Sequence, residues 1–67
     1  MPDMHPVNSS NLAAVGWEDG EIFIQFRNGA TYKCVGTEAE MLELRGNPTA
    51  KKGEFFDTVI KPRLRIA

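Results

Sequence analysis

Two glycine-containing dipeptides, Asp19-Gly20 and Asn28-Gly29, stand nine positions apart in a stretch otherwise made of strand-forming side chains. This spacing constrains the fold more than any other feature. Both dipeptides supply the positive φ that a type I′ hairpin turn requires, and β-branched and aromatic residues flank each of them. The pattern predicts three antiparallel strands in meander order, over residues 12–18, 21–27 and 30–35. Two-residue turns would place Trp17 opposite Ile22, Val15 opposite Ile24 and Ala13 opposite Phe26. Across the second turn they would place Val35 opposite Ile22, Lys33 opposite Ile24 and Thr31 opposite Phe26. Side chains alternate along a strand, so these residues share one mostly apolar face, expected to be the core. The opposite face would carry Phe23, Gln25 and Arg27 beside Cys34, Tyr32 and Ala30. A bulge, or one more residue in either turn, exchanges the faces of the strand that follows or precedes it.

Beyond the meander the period changes. Thr37-Glu38-Ala39-Glu40 has the spacing of a capping box, with Thr37 as N-cap and Glu40 returning to it. Met41, Leu42 and Leu44 supply an apolar stripe, and Gly46 before Asn47-Pro48 stops a helix of about two turns. A second helical segment is expected from near Thr49, because Phe55 with Val59 and Phe56 with Ile60 are spaced to meet on a helix. Pro62 ends it, and Arg63-Leu64-Arg65-Ile66 alternates like a short terminal strand. Helices this short stand only by packing on a sheet. The expected fold is α+β: a three-stranded antiparallel meander covered by two short helices, with a possible C-terminal strand. Residues 1–67 form one domain, in which 1–8 are expected to be a loose lead-in and Asn8-Ser9-Ser10-Asn11 a turn into the first strand.

Size and composition narrow the function classes. A chain of 67 residues, 42% hydrophobic and 25% charged, is globular rather than disordered. A domain this small buries only about 60% of its unfolded surface, so each large apolar side chain counts. One cysteine and one histidine leave no intrachain disulfide and no four-cysteine zinc site. No metal or cofactor is expected, and His5 is expected to be solvated. Ser9 and Ser10 have no histidine base, so nucleophilic catalysis is not expected. Cys34 reads as a small hydrophobe beside aromatics rather than a nucleophile, since Lys33, its neighbour in sequence, points to the other face. No apolar run approaches the roughly 20 residues of a membrane span, and the N-terminus lacks a signal pattern. A cytoplasmic, non-enzymatic protein without a small-molecule substrate is the expectation.

Charge is divided along the chain. Residues 1–44 carry seven acidic side chains against Arg27 and Lys33, whereas residues 45–67 carry six basic ones against Glu54 and Asp57. A basic C-terminal part suits an anionic partner. Lys51, Lys52, Lys61, Arg63 and Arg65 would make a phosphate-contacting rim, or else a solvated surface. Arg27, Tyr32 and Phe23 would make a stacking platform for RNA bases, or else lie beneath the helices as core. The expected activity is weak or non-specific RNA binding through Arg27, Tyr32, Lys51, Lys52, Lys61, Arg63 and Arg65. The alternative is a protein-interaction module, such as a small phage or bacterial regulator docking on a large machine like RNA polymerase. There the acidic residues 38–43 would meet a basic groove.

Taken in order, Pro6-Val7-Asn8-Ser9-Ser10-Asn11-Leu12, Val15-Gly16-Trp17, Phe26-x-Asn28-Gly29-x-x-Tyr32, Lys52-Gly53-x-Phe55-Phe56 and Ile60 resemble the KTSC domain. The resemblance spans about residues 6–62. That family takes its name from a domain at the C-terminus of some lysyl-tRNA synthetases and also occurs as a stand-alone bacterial and phage protein. The synthetase context implies an association with RNA. The family's central Tyr-x-Tyr pattern is represented by Tyr32 and Cys34, so one tyrosine of the pair is replaced. Trp17 stands where tyrosine is common, and the first turn is shorter than usual for the family.

Overall fold

The computed structural model describes residues 2–9, 11–46 and 56–67. Five antiparallel strands follow one another across a single sheet in chain order: β1 (His5–Pro6), β2 (Leu12–Glu18), β3 (Glu21–Phe26), β4 (Thr31–Val35) and β5 (Arg65–Ile66). Helix α1 spans Glu38–Gly46, and the chain returns through a π-helical turn, Phe56–Ile60, and a 3₁₀ turn, Lys61–Arg63. The α+β class and the central meander are as expected. The sheet is wider than the meander: β5 is the expected C-terminal strand, shortened to two residues, and β1 is an addition at the other edge. The segment beginning near Thr49 was expected to be helical; its part from 49 to 55 lies outside the described residues, and Phe56–Ile60 form a single wide turn rather than a regular helix.

The first turn has the geometry that Asp-Gly favours. Asp19 and Gly20 have φ of 52° and 81°, and Glu18 pairs with Glu21, leaving two residues in the loop. The pairs Trp17–Ile22 and Val15–Ile24 follow the expected register. It then shifts between Leu12 and Ala14, so that Leu12, rather than Ala13, stands opposite Phe26. This irregularity brings Leu12 into the core at 2% exposure. At about 0.8 kcal/mol per buried methylene, burying leucine instead of alanine favours the bulge by roughly 2 kcal/mol.

The second turn overturns the expected pairing. Only Gly29, at φ 94°, is left-handed there; Asn28 is not. The Gly29 N–H donates to the Phe26 carbonyl (3.0 Å), the Phe26 N–H to the Ala30 carbonyl (2.8 Å) and the Ala30 N–H to Asn28 Oδ1 (2.9 Å). Arg27, Asn28 and Gly29 thus make a three-residue loop closed by a glycine bulge. Ile22 consequently pairs with Cys34, Phe23 with Lys33 and Ile24 with Tyr32. Cys34 and Tyr32 turn to the core face and Lys33 turns away from it. The expected register would have buried the Lys33 ammonium against Ile24, a costly placement for an unpaired charge.

The core lies between the sheet and the helical elements. Val7, Leu12, Val15, Ile22, Ile24, Cys34, Met41, Leu44 and Ile60 form one buried cluster, with Trp17, Phe26, Phe56, Val59 and Leu64 packed around it. Helix α1 begins in the predicted capping box. The Thr37 N–H donates to Glu40 Oε1 (3.0 Å), and the Glu40 N–H donates to Thr37 Oγ1 (3.2 Å). Met41 and Leu44 face the sheet, while Leu42 is half exposed. The N-terminal residues are not loose: β1 pairs His5 with Val15 and Pro6 with Ala14, and Val7 is buried. Pro2, Asp3 and Met4 lie over Gly16, where an added Cβ would stand 2.6 Å from the Asp3 carbonyl oxygen.

Ile60 is fully buried, although it belongs to a segment with little regular structure. Replacing Ile60 with alanine is expected to cost about 2–5 kcal/mol in a urea titration followed by circular dichroism. A change below about 0.5 kcal/mol, typical of a surface site, would mean that the C-terminal turn does not close the core.

Candidate functional site

The register of β4 decides which side chains share a surface. On the face turned away from the helical elements, Phe23, Lys33 and Arg65 occupy one cross-strand row, with Gln25 and Thr31 paired in the next. Among the described residues this face carries no helix; only the N-terminal residues near Gly16 cover part of it. Glu21 sits beside the row, its Oε1 3.5 Å from Lys33 Nζ and its Oε2 3.6 Å from Arg65 Nη2. Both pairs are solvent-accessible, and exposed pairs of this kind contribute about 0–1 kcal/mol, so an incoming anion can compete for either cation.

The residues expected to act together are distributed over several places. Tyr32 is half-buried on the core face, edge-on to Phe26 with ring centroids 5.4 Å apart, and so does not share a platform with Phe23. Arg27 lies in the second turn, where its Nε donates to the Ser9 carbonyl (2.7 Å) and its backbone N–H to that of Asn11 (3.0 Å). Arg63 reaches the helix cap: its Nη1 is 3.3 Å from Glu40 Oε2 and donates to the Val35 carbonyl at 3.4 Å. Arg65 is on the outer face. Lys61 is exposed at the start of the 3₁₀ turn. Lys51 and Lys52 lie outside the described residues. The single phosphate rim expected from the C-terminal charges is therefore divided between opposite sides of the sheet. Lys33, which the sequence reading assigned to the core, joins the outer row instead.

A second concave feature lies on the helical side. Phe26, Phe56, Arg27, Lys61, Asp57 and Asn28 border an open groove of about 410 Å³. The Phe26 and Phe56 rings meet edge-to-face, 5.9 Å apart at 70°.

The whole chain is similar to a solved structure. The crystal structure of a KTSC domain protein from Yersinia pestis superposes with a TM-score of 0.80 at 32% identity, covering 100% of this chain and 99% of that one. The chain belongs to the KTSC domain family. No family model matches the sequence, and no curated protein matches it. Within this KTSC domain the two positions of the Tyr-x-Tyr pattern, Tyr32 and Cys34, are two apart on one strand. Both therefore face the helical side. Cys34 is fully buried, so in this chain that pair of positions serves packing.

No cluster of three or more metal-ligating side chains occurs among the described residues, and no helix there is long and apolar enough to cross a membrane. His5 is half-buried near Trp17 and Glu38 rather than fully solvated. Cys34 behaves as a core hydrophobe. Burial pushes its thiol above the ordinary value, against the pull of Arg63 and Arg65, while Glu40 and Glu21 add to the rise. The thiolate, not the thiol, is the nucleophile, so Cys34 is chemically quiet at neutral pH.

The raised thiol carries a pH dependence. Stability associated with the neutral thiol is complete below the ordinary thiol pKa. As pH rises past that value the unfolded chain releases a proton that the folded one retains, and stability falls until the folded pKa is reached. Thermal unfolding of the native chain is expected to decline over that alkaline interval more steeply than that of Cys34→Ala. Identical slopes for the two proteins would show that the thiol is not desolvated.

Proposed function

We propose that this KTSC domain is a non-enzymatic binding module whose outer sheet face, free of helix among the described residues, makes weak, sequence-tolerant contacts with single-stranded RNA. The observation that carries this reading is the cross-strand row Phe23–Lys33–Arg65. Single-stranded RNA is commonly received on a sheet face, where an aromatic ring stacks on a base and nearby cations meet the phosphates. Stacking is worth about 1–3 kcal/mol per base and tolerates any base, because every base has a flat face. Phe23 supplies one such ring, and Lys33 and Arg65 stand next to it in the same row. One aromatic and two cations, both shared with Glu21, support a modest affinity and no base-edge readout. Lys51 and Lys52 remain candidates for further phosphate contacts on sequence grounds.

The second reading is a protein-interaction module. Val35 and Ile66 are 63% and 80% exposed, unusually high for strand residues of their size, and Leu42 is exposed on α1. A partner using these side chains would depend on one or two apolar anchors rather than on charge.

Fluorescence anisotropy with a labelled mixed-sequence single-stranded RNA separates the two readings. Two phosphate contacts predict a slope of log affinity against log salt near −1.4, or about sevenfold weaker binding at 200 mM than at 50 mM salt. Lys33→Gln with Arg65→Gln is expected to flatten that slope, and Phe23→Leu to weaken binding while retaining an apolar side chain. Binding that ignores all three substitutions, or no binding at 50 mM salt, would remove the RNA reading and leave the protein partner.

A further inference from the structure

The groove on the helical side brings two aromatic rings at the edge of the core together with exposed charges of both signs. Its walls include two half-buried aromatic rings, and its borders carry the exposed cations Arg27 and Lys61 together with the exposed carboxylate of Asp57. Among the described residues neither Lys61 nor Asp57 has an ion-pair partner. Arg27 uses Nε on the Ser9 carbonyl, which fixes the direction of its guanidinium. Asn28 uses Oδ1 on the Ala30 N–H, which orients its side-chain amide and leaves the NH₂ group to donate.

We propose that this groove binds a free nucleoside monophosphate, with the base against Phe26 and Phe56 and the phosphate between Lys61 and Arg27. The rings meet at 70°, so a flat base that stacks on one presents its edge to the other, both favourable aromatic arrangements. The volume, about 410 Å³, lies within the range of small-molecule sites. Asp57 discriminates among ligands. A bare anion attracted by Lys61 and Arg27 meets its negative charge, and an apolar ligand leaves all three charges unanswered. A nucleotide satisfies the set, because its ribose hydroxyls donate to the carboxylate while its phosphate accepts from the two cations. The Asn28 NH₂ then faces acceptors on the base or sugar. This site is on the opposite side of the sheet from Phe23, Lys33 and Arg65, and goes beyond the RNA reading.

The test is a ¹⁵N-labelled full chain titrated with AMP at low salt and followed by amide chemical shifts. Saturable shifts are expected at Phe26–Asn28 and Phe56–Lys61, with a dissociation constant of about 1 mM or below. Phe56→Leu, which keeps an apolar side chain, is expected to weaken binding about fivefold or more by removing the stacking surface. Lys61→Gln, at an exposed position, should weaken it without disturbing the fold. Asp57→Asn should weaken AMP while strengthening inorganic phosphate. Lys33→Gln with Arg65→Gln should leave AMP binding unchanged, so loss of the RNA reading and loss of this one are told apart. No saturable shift up to about 5 mM AMP overturns the proposal. So does inorganic phosphate alone reproducing the shifts, or a 5′-phosphorylated RNA oligomer occupying the groove that AMP does not.

Discussion

The loop between β3 and β4 sets the parity of everything that follows it. With three residues between Phe26 and Ala30, the alternation along β4 sends Tyr32 and Cys34 inward and Lys33 outward. Strand β5 then inherits that parity, because Tyr32 pairs with Ile66 and Lys33 with Arg65. One backbone conformation, Gly29 at φ 94°, thus determines both the composition of the core and the charge of the outer face. A side chain at this position would have to adopt a region that only glycine enters without penalty. A two-residue loop would bring Lys33 into the interior and expel a cysteine suited to it.

The second organising feature is the cap of α1. Glu40 closes the capping box with Thr37 and also receives Arg63, whose guanidinium reaches the Val35 carbonyl. The start of the helix, the end of β4 and the C-terminal turn are joined at this point. Trp17 adds a further tie, its Nε1–H donating to the Gly36 carbonyl at 2.9 Å. In a domain with a core of this size, such polar ties orient segments too short to hold their own conformation. Arg63 is thereby occupied by the fold. Its position in a basic stretch of sequence suggested a surface function, and its geometry ties it to the helix cap and to the end of β4.

Local signals carried the meander and the capping box, because each is decided within a few residues of chain, whereas the burial of Cys34 follows from the register of β4. Asp19-Gly20, Thr37 with Glu40, and the alternation of Ile22 and Ile24 all belong to this class. The register of β4 was not decided locally. Asn-Gly is compatible with a two-residue and a three-residue loop, and the choice falls to the burial of side chains several residues away. Strand β1 was illegible for a related reason: His-Pro has no strand signal of its own and is held by pairing with Ala14 and Val15. Of the candidate interface residues, Arg65 shares a row with Phe23, which the sequence had placed on the mixed face. Tyr32 was separated from that face by the same one-residue slip that brought Lys33 to it.

Sequence charge does not by itself say which cations face one surface, and the reason is physical. A basic residue is available to a ligand only to the extent that the fold does not use it. Here Arg27 commits only its Nε to the Ser9 carbonyl and keeps its terminal nitrogens for a ligand, Arg63 braces the helix cap, and Lys33 and Arg65 share Glu21. These commitments differ in kind. The Arg63 contacts join the helix cap, the end of β4 and the C-terminal turn. The Glu21 pairs are exposed and weak, so a phosphate can replace the carboxylate at little cost. Lys61 stands outside both groups. Among the described residues, a domain that must hold itself together with few side chains leaves weakly held cations at the outer row and an exposed one, Lys61, at the mouth of the helical groove.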